Sequence, residues 1–285
     1  MEDVGFYNGE YGRIMDLKCS IMDRGMYFGD GCYDATYVCN NVILFLEDHL
    51  NRFYNSCRLL EIPFQYSREE LTEILYNIVE KYDFSEGMIY WQTTRGTDFR
   101  NHVFPDFEQV NPNLMAYIRP FEMRPIDKTY KVITLEDTRF LHCDIKTINL
   151  LPSVLYTQRA EEAGCDETIL HRGERVTECA HSNVHILKDG ALRTAPCDNL
   201  ILPGITRAHR IAQCREMGIP VIEEPFTVSE MMAADEVFFT SASALCCRIT
   251  TIDGQRVGGR APELIQRIQD AAWAEAMAEV RAIQG

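Results

Sequence analysis

Basic residues are scarce in this chain. Its 28 lysines and arginines face 43 aspartates and glutamates, a formal net charge of −15. That balance repels phosphate backbones and anionic headgroups, which argues against nucleic-acid and membrane-surface partners. Long hydrophobic runs are missing as well. Stretches such as Val42-Ile43-Leu44-Phe45-Leu46 fall far short of the roughly 20 apolar residues that a membrane helix needs. None of the 11 cysteines forms a Cys-x-x-Cys pair, the count is odd, and the chain is too large to need disulfide staples. Reduced thiols are expected, with Cys246-Cys247 serving packing. Met1-Glu2-Asp3 is acidic where a signal peptide would be basic, so a cytoplasmic protein is expected. Gly29-Asp30-Gly31 lacks the third glycine of a dinucleotide fingerprint. His181 and His185 lack a third ligand, and their segment reads as strand, so no metal site is expected. Repeats and low-complexity tracts are absent.

What is present reads as two mixed domains within 285 residues. Residues 88–94 and 114–118 are rich in aromatic and β-branched types and suit strands. Leu50, Phe53, Tyr54, Cys57 and Leu60 recur at helical spacing, as do Leu71, Ile74, Leu75 and Ile78. Arg119-Pro120-Phe121-Glu122-Met123-Arg124-Pro125 disfavours helix before each proline. A small N-terminal α/β domain is expected over 1–119, a connection over 120–127 and a larger, β-rich C-terminal domain over 128–285. In the latter, Tyr130–Leu135 reads as a strand and Pro152 opens a helix that ends at Gly164. Residues 167–194 read as a β-meander with turns at residues 171–174 and 188–190. A helix over Arg207–Met217 stops at Gly218, Val237-Phe238-Phe239 is a buried strand, and a long helix runs from Pro262. Hairpins mixed with helices indicate α+β or α/β domains rather than one doubly wound sheet.

Three features carry chemistry. Lys146 lies between a strand and a helix, framed by Ile145 and by Ile148-Asn149-Leu150-Leu151. An arbitrary lysine is a surface lysine, but this frame is apolar. Glu178 follows in Val176-Thr177-Glu178-Cys179, before small and hydrogen-bonding residues. Gly204-Ile205-Thr206-Arg207 leads into a helix, where free N–H groups attract an anion; Thr206 is expected to cap it. An amine, a carboxylate and a helix start are what pyridoxal 5'-phosphate needs: a Schiff-base partner, a counterion for the ring nitrogen and a phosphate cradle. Arg100 and His102, in a polar loop after a strand, suit a substrate carboxylate.

Together these segments resemble the fold-type IV pyridoxal-phosphate enzymes, the class IV aminotransferases. The resemblance runs from about Gly5 to Gly254. It is carried by Phe28-Gly29-Asp30-Gly31-Cys32-Tyr33, Glu47-Asp48-His49-Leu50-Asn51-Arg52, Thr94-Arg95-Gly96-Thr97 with Arg100 and His102, Cys143-Asp144-Ile145-Lys146, Thr177-Glu178, Ser182-Asn183 and Gly204-Ile205-Thr206-Arg207. It implies cofactor in an interdomain cleft, Lys146 as Schiff-base lysine and proton shuttle, and Glu178 at the pyridinium nitrogen. Arg52, Ile205, Thr206 and the Ser241-Ala242 turn would hold the phosphate. Tyr33, Arg100 and His102 would trap the substrate carboxylate, the latter two reaching across a homodimer. The Arg-x-His pair points to the D-amino-acid branch: ping-pong transamination between D-amino acids such as D-alanine and 2-oxo acids such as 2-oxoglutarate. Branched-chain L-aminotransferases and aminodeoxychorismate lyases share the fold and are the alternative. Asp34 departs from the family's usual glutamate, and Ala242 replaces a phosphate-binding threonine.

Overall fold

The computed structural model describes residues 1–284. The chain divides into two compact units. The first comprises Met1–Glu122, Ile145–Asn149 and the last helix from Glu279; the second comprises Met123–Asp144 and Leu150–Ala278.

The first unit carries β1 (Val4–Tyr7), β2 (Glu10–Gly12), α1 (Arg24–Phe28), β3 (Gly31–Cys39), β4 (Val42–Ile43), α2 (Leu46–Leu59), α3 (Arg68–Glu80), β5 (Gly87–Thr94) and β6 (Asn113–Arg119). Its strands form one antiparallel sheet in the order β2-β1-β6-β5-β3-β4. Alternation decides which face is covered. Ile89 and Trp91 of β5 are buried with Leu50 and Phe53 of α2 and Leu71 and Ile78 of α3. Each such side chain contributes about 1.5–3 kcal/mol on burial. α3 starts on a capping box: Glu70 N–H donates to Ser67 Oγ at 3.2 Å and Ser67 N–H to Glu70 Oε2 at 2.7 Å. On the opposite face Tyr33, Tyr90 and Tyr117 stack across three strands, with ring centroids 5.2 and 5.1 Å apart.

β4 pairs only with Val38 and Cys39, so one edge of β3 is open at its start. Residues 146–148 fill that edge. Tyr33 N–H donates to Lys146 O at 3.0 Å, Ile148 N–H donates to Gly31 O at 3.1 Å, and Cys32 bridges Thr147. Open strand edges demand partners, which is why Ile145–Asn149 belongs to the first unit. A single cut that assigns all of 128–285 to the second domain therefore needs correction here.

The second unit carries β7 (Thr129–Glu136), α4 (Leu151–Glu162), β8 (Glu167–Arg172), β9 (Arg175–Cys179), β10 (Asn183–Lys188), β11 (Ala191–Thr194), α5 (Ile205–Glu216), β12 (Val221–Glu223), α6 (Val228–Met232), β13 (Glu236–Ser241), β14 (Ala244–Ile252), β15 (Gln255–Arg256) and α7 (Pro262–Gln284). The sheet runs β12-β11-β10-β13-β14-β7-β8-β9, with β15 beside β14. The expected meander over 167–194 is instead two hairpins, because β9 and β10 are not neighbours in this order. β13 inserts beside β10, and its Val237, Phe238 and Phe239 are fully buried.

This order forces the sheet to curl. Only Ala180, His181 and Ser182 separate β9 from β10, a reach of about 14 Å. In a flat sheet the five intervening strand spacings would hold them roughly 24 Å apart. The curl explains why Ile169, Val176, Val184, Ile186, Val237 and Ile249, from strands between β10 and β9 in this order, share one core. Among the described residues no helix is long and apolar enough to cross a membrane.

Candidate active site

In the first unit the chemistry gathers around β3. Lys146, fixed by its backbone to β3 and by a 3.4 Å N–H···Oγ contact with Ser56, is half-buried. Its Nζ lies 4.3 Å from the centroid of the Tyr33 ring, a cation over an aromatic face. The next residue of β3, Asp34, is fully buried. It accepts Arg52 Nε at 2.9 Å and Arg52 Nη2 at 2.7 Å, and His49 Nδ1 is 2.8 Å away. Burial opposes the Asp34 charge, yet Arg52 and His49 together hold the carboxyl well below the usual range. Burial likewise holds His49 below the ordinary histidine value, against the pull of Asp34. Arg52, expected at the phosphate, thus has its fork aligned on Asp34.

The loop expected to trap a carboxylate is organised around Phe28. The Arg100 guanidinium lies 5.1 Å from that ring and the His102 imidazole 5.0 Å. Arg24 pins the loop through Asn101 O at 2.7 Å and is itself held by Asp30 at 2.8 Å. Tyr33 stands with Lys146 and Tyr90, while Arg100 and His102 gather at Phe28.

In the second unit Glu178, near the end of β9, is 5% exposed. Its Oε2 accepts Asn183 Nδ2 at 3.0 Å and Leu202 N–H at 3.1 Å, and its Oε1 meets Arg139 Nη1. Burial pushes this carboxyl up to about 6, with Arg139 opposing the rise. The curl supplies the geometry, since it is the short β9–β10 link that sets Asn183 beside Glu178. Asn183 also donates to Leu202 O at 3.0 Å and pairs in register with Thr240, one residue before Ser241-Ala242. These two begin the turn from β13 to β14, where Ser241 Oγ lies 3.4 Å from Ser243 Oγ.

Gly204 completes this cluster. An ideal Cβ there would lie 1.9 Å from Asn183 Oδ1, so only glycine fits. Gly204 is also the N-cap of α5, with no side-chain cap. Thr206 is therefore not the cap expected from the sequence; it is buried inside the first turn. The N–H groups of Ile205 and Thr206 have no intrahelical acceptor, and anions favour such a helix start. His185 and His181 serve structure: His185 Nε2 lies 2.9 Å from Thr240 Oγ1, and His181 Nδ1 lies 2.9 Å from Glu167.

Asp137 and Arg139, which flank Thr138 after β7, stand with Glu178 although no motif in the sequence marks them. Alternation in extended chain was the available signal, but only the fold shows what they meet. Within each unit the chemistry suits pyridoxal phosphate: a half-buried amine in the first, and in the second a buried carboxylate already holding N–H donors and a glycine-lined helix start.

The class IV amino-transferase family model matches residues 31–252. The chain is 42% identical over 252 residues to the D-alanine aminotransferase of Listeria monocytogenes serotype 1/2a, covering 87% of each. It is 39% identical over 274 residues to that of Staphylococcus aureus strain MSSA476, covering 95% of this chain and 96% of the relative. Among solved structures, the branched-chain amino acid aminotransferase from Escherichia coli matches with TM-score 0.88 at 24% identity, over 98% of this chain and 96% of that one. The branched-chain amino acid aminotransferase from the archaeon Thermoproteus uzoniensis, solved with norvaline, matches with TM-score 0.85 at 24% identity, over 97% and 95%. Those likenesses speak for a fold-type IV architecture. With the family model spanning most of the sequence and relatives near 40% identity, the chain belongs to the class IV aminotransferases.

Proposed function

We propose that the chain is a pyridoxal 5'-phosphate-dependent transaminase that moves the amino group of D-amino acids, such as D-alanine, to 2-oxo acids, such as 2-oxoglutarate. The D-alanine aminotransferases at 39–42% identity support the substrate class. One geometric observation carries the cofactor: Glu178 is a buried carboxylate with three nitrogen partners, as a counterion for a buried cationic ring must be.

When bound, the cofactor supplies an aldehyde for amino-group exchange and a protonated ring that draws electrons from the substrate Cα–H bond. Lys146 Nζ, set over the Tyr33 ring face, would take the proton from the substrate Cα and return it at the cofactor's C4' atom. Glu178 would hold the proton on the ring nitrogen. Ile205, Thr206, Arg52, Ser241 and Ala242 would hold the phosphate, with Ala242 offering its backbone N–H. Tyr33, Arg100 and His102 would hold the substrate carboxylate, and fixing it decides which face of Cα presents its hydrogen to Lys146. Two half-reactions on one site give ping-pong kinetics.

A cytoplasmic homodimer is part of this reading. Leu151, Val154 and Leu155 leave an exposed apolar stripe along α4, at 71%, 61% and 51% exposure, the kind of surface a second copy covers. An assay of D-alanine against L-leucine with 2-oxoglutarate tests the substrate class. Turnover of D-alanine is expected, and turnover of L-leucine alone would reject it.

A further inference from the structure

Glu178 is one end of a largely buried chain of alternating charge. Arg139 gives Nη1 to Glu178 and spends its other nitrogens elsewhere: Nε donates to Asp137 Oδ1 at 3.0 Å, and Nη2 donates to Asp137 Oδ2 at 3.0 Å and Leu200 O at 3.1 Å. The Asp137 carboxylate also accepts Thr177 Oγ1 at 3.0 Å and lies 3.3 Å from Arg172 Nε. Arg172 Nη2 then donates to the Arg139 carbonyl at 2.7 Å. The guanidinium is thus fixed at every nitrogen, on a side chain with only 11% of its surface exposed. A planar fork held this way cannot follow Glu178; Glu178 must follow it.

The physical problem this solves is specific. A buried carboxylate without a cation takes up a proton, and a neutral acid cannot serve as counterion to a ring cation. A bare guanidinium would overcorrect by competing with the ring for the same charge. Asp137 tempers it. Other titratable groups near Glu178 include the thiols of Cys143 and Cys179, both raised by burial and so neutral near pH 7.

We infer that Arg139, tempered by Asp137, is a positioning residue that keeps Glu178 ionised and turned toward the cofactor's ring nitrogen. The inference rests on the proposed role of Glu178. It is tested by dialysing the pyridoxal-phosphate-loaded enzyme against cofactor-free buffer across about pH 5 to 8 and recording the midpoint below which cofactor is lost. Arg139→Gln is expected to raise that midpoint by about one unit, equivalent to roughly tenfold weaker retention within that window. Arg139→Lys is expected to restore most of the shift, and Asp137→Asn to move the midpoint downward. Curves that weaken equally at every pH, with the midpoint unmoved, would overturn the inference and leave only a structural role. Should Arg139→Gln not fold, Asp137→Asn decides: a lower midpoint supports the inference, an unchanged or higher one overturns it. If the wild type binds no pyridoxal phosphate, the proposed function fails and the inference with it. Binding with superimposable pH curves sinks the inference alone.

Discussion

Asn183 donates to Glu178 Oε2 across 3.0 Å, while its own Oδ1 occupies the space where a side chain at residue 204 would have to go. One amide therefore couples the carboxylate of β9 to the start of α5. Gly204 has φ −67, so this glycine is needed for space and not for an unusual backbone. Gly204→Ala is expected to displace Asn183, cost about 1–3 kcal/mol of stability by overpacking, and weaken cofactor retention. Thermal unfolding and equilibrium dialysis measure the two. A variant with unchanged Tm and unchanged retention would contradict the coupling.

Lys146→Ala is expected to abolish transamination and covalent capture. Borohydride treatment of the wild type with pyridoxal phosphate should label Lys146, as read by peptide mass. Normal turnover in the variant, or label on another lysine, would refute the assignment.

The raised carboxyl of Glu178 predicts a pH dependence in the cofactor-free chain. The group titrates near 4.5 when unfolded and about 6 when folded. Between those values the folded chain binds more protons, so stability from this group falls as pH rises through the window and levels off above it. The span is about 2 kcal/mol. Urea unfolding of wild type and Glu178→Gln from acid to neutral pH measures it. Parallel stability curves would show that the carboxyl does not titrate there.

Asp34 behaves oppositely. Its folded carboxyl lies below the unfolded value of 3.8, so its stabilisation is present above that value and disappears as pH falls through the folded one. Asp34→Ala leaves Arg52 and His49 without their shared carboxylate and is expected to cost about 3–5 kcal/mol. Denaturant midpoints at neutral pH check this, and a loss under about 1 kcal/mol would mean the cluster contributes no more than a surface pair.

Phe28→Ala removes the ring that Arg100 and His102 share. Losing about 1 kcal/mol of cation–π and ring contact should raise KM for D-alanine roughly fivefold with kcat nearly unchanged. An equal fall in kcat would place the loop in the chemical step instead.

Much of the fold is legible in local pattern. The stripes of α2 and α3, the aromatic strands β5 and β6, and Gly164 and Gly218 with φ of 66 and 73 just past their helices follow from periodicity and backbone freedom. The meander over 167–194 does not form because pairing is not local: β13 lies some fifty residues beyond β10 yet inserts beside it. The Thr206 hydroxyl suits a cap, but Gly204, pressed against Asn183, takes that place.

The sequence alone determined the acidic charge, the helical and strand periods, and the residue types able to hold an aldehyde cofactor, because each is written in composition or short spacing. Tertiary structure decided that residues 146–148 complete the edge of β3, that curling brings Asn183 to Glu178, and that Arg139 and Asp137 stand behind that carboxylate. The reason is physical. Unpaired strand edges, buried charges and unpartnered carbonyls find whichever group the folded chain carries within reach, and no short stretch of sequence records that distance.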